Sequence, residues 1–310
     1  MNPSDVTFKD YLQLHFVIFI WGFTAILGKL ISIPAVELVL YRTLIAFLIL
    51  GVLIYFQRKT FFLGKKEFLK VFGTGLLIAG HWILFFGAAR VSNVSACLVG
   101  MATSSLWTSI LEPIVNKKKI SILEIGLGLS VIAGLYLVFQ VDTKYILGVI
   151  MAIGSAMLAS GFSIVNSHLV KKHDSYTITF YEMIGAFVGS VLFLPFYIYY
   201  FSPTHSLQLI PNLVDWIYIF ILSGVCTVYA FSMGVKLLKK FTAFIMNLTV
   251  NLEPVYGIIL AFLIFGEEER MTPGFYVGTL IILLSVIFYP ILQKQTQKIS
   301  SRAKRIFAKQ

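Results

Sequence analysis

Several ionisable side chains lie inside long apolar stretches of this sequence, and they are the residues whose types could do chemistry. They are His15, Glu37, Arg42, His81, Glu112, Glu182 and Glu253. A charged or protonatable group inside a hydrophobic helix is costly, so such residues are candidates for holding a charged solute or carrying a proton. The sequence has no P-loop, no His-Glu-x-x-His pattern and no Gly-x-Ser-x-Gly elbow, so we predict no catalytic residue, no cofactor and no metal site.

Arg42 and Glu182 are the first two candidates, and each has two open interpretations. Arg42 is charged at any physiological pH and could receive the carboxylate of a substrate. It could equally extend towards the outer membrane surface or pair with Glu37. Glu182 could hold a substrate ammonium group or form part of an inner gate, and the alternative is a salt bridge to Lys171 or Lys240. We keep both residues as predicted substrate contacts.

Glu253 is predicted to lie near the middle of a helix, where loss of water disfavours a charged carboxylate. This makes it the best candidate for a coupling proton, although a neutral glutamate in a packing role fits equally. Asn247 and Asn251 share a polar helix face with Pro254, while Thr249 lies on the face of Glu253. A helix with two polar faces is not expected to face lipid, so both asparagines are predicted substrate contacts.

Aromatic side chains accompany the ionisable ones and complete the predicted substrate site. They are Trp21, Tyr41, Trp82 and Tyr229, together with His81. Aromatic rings that converge on a cavity suit a flat or amphipathic solute, such as an aromatic amino acid. Packing against lipid or against neighbouring helices is the alternative for each ring, and a satisfied interior histidine is the alternative for His81.

The composition predicts an all-α integral membrane protein. The chain is 58% hydrophobic and only 13% charged, whereas soluble domains have about 25% charged residues. Its apolar stretches approach the ~20 residues that a helix needs to cross hydrocarbon, and a chain in lipid must satisfy its own backbone hydrogen bonds. We predict ten spans: Leu12–Ile31, Ala35–Phe56, Leu69–Ala88, Ser95–Val115, Ile122–Phe139, Leu147–Leu169, Ile178–Tyr200, Trp216–Leu237, Ala243–Phe265 and Phe275–Leu292.

The net charge of +11 is distributed very unevenly between the two sides of the predicted membrane. With the N-terminus in the cytoplasm, twenty lysines and arginines fall on the cytoplasmic side and four on the other, with Arg42 inside a span. Lysine and arginine are enriched in cytoplasmic loops. We therefore predict that both termini are cytoplasmic, and we interpret the basic charge as a topology signal and lipid contact, not as a nucleic-acid site.

The second half of the chain repeats the first. The segment 21–26 reads WGFTAI and the segment 160–165 reads SGFSIV, while 40–47 reads LYRTLIAF and 180–187 reads FYEMIGAF. The offset of about 140 residues indicates a duplication. Because each copy has five predicted spans, the second copy enters the membrane in the opposite direction, as in many secondary transporters. The predicted parts are a first five-helix repeat at 1–140, a second at 141–293 and a basic cytoplasmic tail at 294–310.

One repeated tripeptide does not follow this duplication. Leu-Glu-Pro occurs at 111–113 and again at 252–254, but its offset disagrees with the matches on either side. Aligned through Ser95 and Thr242, Pro254 falls opposite Trp107. We therefore predict that the two glutamates lie at different heights in their helices.

These motifs resemble the EamA-type proteins of the drug/metabolite transporter superfamily. The resemblance rests on Trp21-Gly22 followed by Lys29, on Tyr41-Arg42 followed by Ala46, and on the stretch 242–254 with Gly266-Glu267 after it. It covers nearly the whole chain, but residues 116–119 read NKKK where the family usually continues with apolar residues. The resemblance implies transport of small metabolites, often export of amino acids or related compounds, through a central cavity.

The sequence features are compatible with three functions. The first is a secondary transporter in the bacterial plasma (inner) membrane that moves an amino acid or similar amphipathic solute by alternating access, in the export direction and with proton coupling. The second is an integral membrane enzyme acting on a lipid or isoprenoid, and the third is a membrane sensor. The predicted partners are a small-molecule substrate and membrane lipids, with no nucleic acid. Uptake of the same kind of solute is a close variant of the first function, and the sequence does not fix the direction of transport, the substrate, the coupling ion or the oligomeric state.

Overall fold

The computed structural model describes residues 6–139, 143–202 and 205–266, and after them residues 273–274, 276–281, 283–285, 288 and 292. Every regular element in these residues is a helix, which confirms the all-α prediction. The elements are Phe8–Gly22, Thr24–Leu30, Ala35–Phe56, Lys65–Val91, Val94–Met101, Ser104–Asn116, Ile122–Phe139, a 3₁₀ turn at Thr143–Tyr145, Ile146–Leu169, Ser175–Tyr200, Leu213–Ile221, a π-helical segment at Leu222–Tyr229, Ala230–Leu237, Ala243–Val250 and Glu253–Phe265.

Eight continuous stretches of the described residues are long and apolar enough to cross a membrane. We number them by their place in the predicted order. Spans one to four are Phe8–Leu30, Ala35–Phe56, Lys65–Val91 and Val94–Asn116, and spans six to nine are Ile146–Leu169, Ser175–Tyr200, Leu213–Leu237 and Ala243–Phe265. The helix Ile122–Phe139 occupies the place of the predicted fifth span.

The predicted tenth span is described only in part, as an apolar helical stretch at Tyr276–Ser285. The predicted basic tail lies outside the described residues. The count of ten spans and their opposite orientation in the two halves therefore remain predictions.

Side-chain caps start several of these helices where the sequence provides Asn, Asp or Thr. Asn93 accepts a hydrogen bond from the amide of Ala96 at 2.7 Å, and Asp174 accepts one from the amide of Tyr176 at 2.9 Å. Such caps satisfy amide groups that have no partner within the helix. The polar residues between the apolar stretches thus set where spans four and seven begin.

The two halves of the chain interdigitate instead of forming separate bundles. Span three packs along spans six and seven, and span two packs along span seven and the π-helical segment of span eight. At one crossing the backbones nearly touch, because a side chain on Gly75 of span three would meet the carbonyl oxygen of Glu182 at 2.4 Å. Only small residues permit such an approach between membrane helices.

Three spans are interrupted by a single turn near the middle of the bundle. Span one breaks at Phe23, span four at 102–103 and span nine at 251–252. Hydroxyl groups complete two of the turns: Thr24 donates to the carbonyl of Trp21 at 2.7 Å, and Thr103 donates to the carbonyl of Gly100 at 2.8 Å. The breaks leave backbone and side-chain polar groups inside the bundle.

The three interrupted spans meet at Gly257 of span nine. A side chain there would come within 2.3 Å of Leu98 in span four and within 3.1 Å of the carbonyl oxygen of Gly22 in span one. The glycines therefore bring the three breaks together at one depth. Discontinuous helices of this kind place polar groups at the solute sites of membrane transporters.

Candidate functional site

A cavity of about 100 Å³ lies at the level of the three breaks. Its walls come from spans one to four and from spans six, eight and nine, so both halves of the chain contribute. The polar part of the lining is Thr24, Arg42, His81, Ser104, Ser163, Asn166, Asn247 and Glu253.

Arg42 is held in the cavity wall by span three and span eight. Its Nε donates to the hydroxyl of Thr227 at 2.8 Å, and its guanidinium carbon lies 3.7 Å from the centroid of the Trp82 ring. The arginine is 3% exposed. Stacking on an aromatic ring stabilises a guanidinium group without consuming its other N–H donors. Arg42 is thus a fixed positive charge with donors left for a ligand.

Thr227 takes its place from an irregularity in span eight. Residues Leu222–Tyr229 form a π-helix, in which Thr227 donates its hydroxyl to the carbonyl of Leu222, five residues earlier, at 2.9 Å. With its proton committed to that carbonyl, the Thr227 oxygen is oriented to accept from Arg42. Single π turns within helices often occur at functional sites, and here the turn orients Arg42.

Glu253 brings the opposite charge to the same cavity. It is the first residue of the helix that follows the break in span nine, and it is 6% exposed. Among the residues that the structure describes, neither Glu253 nor Arg42 takes part in an ion pair. A buried charge without a partner is costly, so the cavity presents two charges that a zwitterion could neutralise.

Aromatic rings form a continuous wall beside these charges. The centroid of Trp82 lies 6.0 Å from that of Phe231, which lies 5.9 Å from Phe162, and the Phe162 ring lies 5.4 Å from His81. Trp21 packs on Gly234, where any side chain would come within 2.9 Å of the indole. The wall gives the cavity an apolar side opposite its polar groups.

His81 is fixed by hydrogen bonds to span six. Its Nδ1 lies 2.7 Å from the hydroxyl of Ser155 and 3.0 Å from the Ser155 carbonyl, and the Ser155 hydroxyl also donates to the His81 carbonyl at 2.8 Å. A ring held at one nitrogen by two oxygens keeps a fixed orientation. His81 therefore belongs to the cavity wall as an anchored ring.

Several buried polar atoms of the lining lack a partner in the described part of the chain. They include the hydroxyl of Ser104 and the amide oxygen of Asn166. Asn247, in contrast, donates its amide to the hydroxyl of Thr108 at 2.7 Å. Buried polar groups are almost always hydrogen-bonded, so Ser104 and Asn166 are positions where a bound solute or water would find partners.

Four predicted substrate contacts do not line this cavity. Tyr41 donates its hydroxyl to the carbonyl of Leu209, and Tyr229 packs edge-on against Phe16 at the surface of the bundle. Asn251 donates to the hydroxyl of Ser105 at 3.0 Å. The fourth, Glu182, is fully buried, and both of its carboxylate oxygens lack a hydrogen-bond partner among the described residues.

The structure also shows the contacts of the residues that the sequence suggested as alternative ion-pair partners of Arg42 and Glu182. Glu37 accepts from the amide of Gln208 at 3.2 Å and does not pair with Arg42. Lys240 pairs with Asp10 at 2.8 Å and not with Glu182. Within the described residues no group of three His, Cys, Asp or Glu side chains could hold a metal ion.

Three contacts between the halves lie at one end of the bundle. Besides the bonds of Tyr41 and Glu37 to the segment before span eight, the carboxylate of Asp215 accepts from the amide of Ser32 at 2.8 Å and from its hydroxyl. These bonds join the loop after span one and the first turns of span two to the segment 208–215. They hold that end of the bundle together in this conformation.

The site residues that sequence reasoning missed include Phe162, Asn166, Thr227 and Phe231. Phe162 was visible as part of the repeated motif at 160–165, where it matches Phe23. The other three have no local signal, because serine, threonine, asparagine and phenylalanine are common throughout membrane helices.

Apolar spans that enclose a polar cavity define an integral membrane protein with an internal polar cavity. A model of the EamA-like transporter family matches residues 10–140 and again residues 146–289. The chain belongs to the EamA-like transporter family and carries two copies of its domain, which confirms the resemblance seen in the motifs. It is therefore a membrane transporter of the drug/metabolite transporter superfamily, which lies in lipid and acts on a small-molecule substrate.

The fold is also found in solved structures. One, described only as a crystal structure of a protein, has a TM-score of 0.68 and 13% sequence identity, and the match covers 93% of this chain and 98% of that chain. At this identity the likeness shows the fold alone. No curated protein sequence matches this chain.

Proposed function

We propose that this protein exports a small amphipathic solute, such as an amino acid, by alternating access of two inverted five-helix repeats. The observation that carries the proposal is the cavity shared by both halves, in which Arg42 and Glu253 present opposite charges beside an aromatic wall. A zwitterion satisfies both charges at once, with its carboxylate on Arg42 and its ammonium group on Glu253. A simple amine leaves Arg42 buried without a counter-charge, and a simple carboxylate leaves Glu253 protonated and without an ammonium partner.

The size and polarity of the cavity favour a small solute. Sites for drug-sized ligands occupy about 300–1,000 Å³, whereas this cavity occupies about 100 Å³. Bidentate donors on Arg42 suit a planar carboxylate, and the rings of Trp82, Phe162 and Phe231 suit an apolar side chain. Ser104 and Asn166 supply further hydrogen-bond partners.

The proposed mechanism starts from a conformation open towards the cytoplasm. The cavity lining extends to Leu238, at the end of span eight, which the charge distribution predicts to be the cytoplasmic end. At the predicted outer end, Asp215, Glu37 and Tyr41 carry bonds between the halves, and the ion pairs Lys59–Asp174 and Lys240–Asp10 join the halves at the predicted cytoplasmic end. Breaking the outer bonds would expose the solute outwards. Both termini are proposed to be cytoplasmic in a bacterial plasma membrane.

Glu253 is the proposed coupling group. The same carboxylate can hold either a proton or the substrate ammonium group, but not both. Competition between the two would couple export of the solute to entry of a proton. The carboxylate would bind whichever of the two is supplied from the side of the membrane to which the site is open. Glu253 is thus proposed to carry the proton when the site is empty.

Counterflow into proteoliposomes tests the proposal. We expect labelled zwitterionic amino acids to exchange, and an inward-directed proton gradient to accelerate their export by wild-type protein but not by the Glu253→Gln variant. Exchange without any response to the gradient would contradict proton coupling. Exchange of simple amines or carboxylates as fast as of amino acids would contradict the zwitterion site.

A further inference from the structure

A second cavity lies on another side of span eight, where span one begins and span eight ends. It has a volume of about 330 Å³. Four lysines line it, from two segments more than two hundred residues apart, together with one aspartate and one glutamine: Lys9, Lys236, Lys239, Lys240, Asp10 and Gln13. Four cations gathered around one concave space form a site for an anion.

The single carboxylate of this cavity is already engaged. Asp10 accepts two hydrogen bonds from the ammonium group of Lys240, both at 2.8 Å, and caps the start of span one by accepting from the amide of Thr7 at 2.8 Å. Within the described residues, Lys9, Lys236 and Lys239 take part in no ion pair. The cavity therefore has an excess of three positive charges.

Exposed apolar side chains lead away from these lysines along span one. Phe8, Leu12 and Phe16 follow one another at steps of four, so they share one helix face, and they are 77%, 53% and 52% exposed. Gln13 and Lys9 lie one position later on the helix, beside this stripe. A free phosphate would need only the lysines, whereas a phospholipid would place its head group among them and its acyl chains along the stripe.

We propose that the cavity around Lys9, Lys236 and Lys239 binds a phosphate-bearing anion, and that this anion is the head group of an acidic phospholipid such as phosphatidylglycerol. Basic pockets between membrane helices at the cytoplasmic side bind acidic head groups. Charge that serves topology alone needs only to follow a span in sequence. The topology signal does not explain why lysines from spans one and eight line the same cavity. It also does not explain why an ion pair holds one of these lysines, Lys240, in place.

A charge-matched pair of variants separates the two roles. The site variant carries Lys236→Gln and Lys239→Gln. The control variant carries Lys171→Gln and Lys172→Gln, which are exposed lysines on the turn after span six. Each variant loses two positive charges from loops predicted to lie on the same side, so a general effect of charge is equal in both. All four lysines are exposed, and both variants are expected to fold.

The measurement is the thermal unfolding midpoint of the full-length protein in a neutral detergent. The probes are dioleoylphosphatidylglycerol, dioleoylphosphatidylcholine and the soluble glycerol 3-phosphate. We expect phosphatidylglycerol to raise the midpoint at concentrations where phosphatidylcholine does not, and the site variant to need about 10-fold more of it. The control variant should respond as the wild type does.

Each other result has a defined meaning. If glycerol 3-phosphate raises the midpoint with the same dependence on Lys236 and Lys239, the site binds phosphate from solution, and the lipid assignment is overturned while the anion site stands. If both lipids stabilise the protein alike, or if the two double variants lose the response equally, no specific site exists at this cavity.

Discussion

Arg42 and Glu182 occupy matching positions in the two halves of the chain, but their surroundings differ in every respect. Arg42 lines the cavity, stacks on Trp82 and donates to Thr227. Glu182 is not among the lining residues; it is buried where spans three and seven cross, next to Asn166 and Thr74, and its carboxylate has no assigned hydrogen-bond partner among the described residues. The two halves share a scaffold, but only one of the two charges belongs to the proposed site.

Glycine sets how closely the helices pack beside Glu182. At the crossing of spans three and seven, a side chain on Gly75 would meet the Glu182 carbonyl oxygen at 2.4 Å, and one on Gly185 would meet the Phe72 carbonyl oxygen at 2.4 Å. Such close contact holds the backbones of spans three and seven together at Glu182. A duplication therefore supplies matching backbone positions, whereas the packing of each helix decides which side chains line the cavity.

The largest expected effect is that of Arg42→Ala. Removing one partner of a buried charged hydrogen bond costs about 2–5 kcal/mol, so we expect apparent affinity for carboxylate-bearing solutes to fall by about 100-fold or more in counterflow assays. Arg42→Lys keeps the charge but loses the planar group that stacks on Trp82 and donates to Thr227, and it should recover only part of the affinity. Unchanged affinity in Arg42→Ala would show that Arg42 does not bind the solute.

The second prediction compares two glutamates directly. Glu253→Gln should weaken binding of ammonium-bearing solutes by about 10-fold or more, because hydrogen bonds to charged groups contribute about 1.5–3 kcal/mol. Glu182→Gln should leave the transport rate within about 2-fold of the wild-type rate, because the Glu182 carboxylate does not line the cavity. Removal of a buried unpaired charge is also not expected to destabilise the fold. Transport rates of both variants in proteoliposomes check this, and a larger loss in Glu182→Gln would reverse the comparison.

The third prediction concerns the close crossing of spans three and seven beside Glu182. Gly75→Ala should lower the free energy of unfolding by about 1–3 kcal/mol, because the added methyl group meets backbone atoms that cannot move aside. Gly73→Ala in the same helix is the matched control, since a side chain there meets nothing within 4 Å. Thermal unfolding in detergent should separate the two variants, and equal midpoints would show that the crossing can open.

The smallest expected effect is that of Thr227→Val. It removes the acceptor for the Nε of Arg42 while keeping the shape of the side chain, and a single hydrogen bond to a charged group contributes about 1.5–3 kcal/mol at most. We expect roughly a 10-fold rise in the apparent KM for carboxylate solutes and little change in the maximal rate. Thr227→Ser, which retains the hydroxyl, should restore the wild-type KM. A lowered maximal rate with unchanged KM would contradict a positioning role.

Most of the fold could be predicted from the sequence, because long apolar stretches in lipid must form helices. The eight membrane-length helices agree with predicted spans to within a few residues at most ends. The breaks in spans one and four could not be predicted, since they contain no proline and are completed by hydroxyl groups of Thr24 and Thr103. Only the break in span nine had a signal, Pro254.

The candidate site was predictable by residue type but not by helix face. Arg42, His81, Trp82 and Glu253 line the cavity as their chemistry suggested. Tyr41 lies beside Arg42 in sequence, but one residue turns a helix by about 100°, which points its hydroxyl towards Leu209 instead. Spacing between helices and rotation about each axis depend on packing across the whole bundle, which no local motif encodes.

The repeated Leu-Glu-Pro tripeptide is a second case in which local sequence does not determine where a side chain lies in the bundle. Glu112 accepts from the amide of Phe244 at 3.0 Å and does not line the cavity, whereas Glu253 does. Identical local sequence thus gives two different environments. The offset between the tripeptides, which disagrees with the flanking repeat matches, was the useful signal.

Ligand-dependent thermal stabilisation with three matched compounds tests the central claim most directly. The compounds are an amino acid, the amine that lacks its carboxylate and the carboxylic acid that lacks its ammonium group, each added to wild type, Arg42→Ala, Glu253→Gln and Glu182→Gln. We predict that wild type and Glu182→Gln are stabilised best by the amino acid, and that Arg42→Ala and Glu253→Gln lose this preference. Equal loss in Glu182→Gln, or no preference for the amino acid in wild type, would contradict a zwitterion site between Arg42 and Glu253.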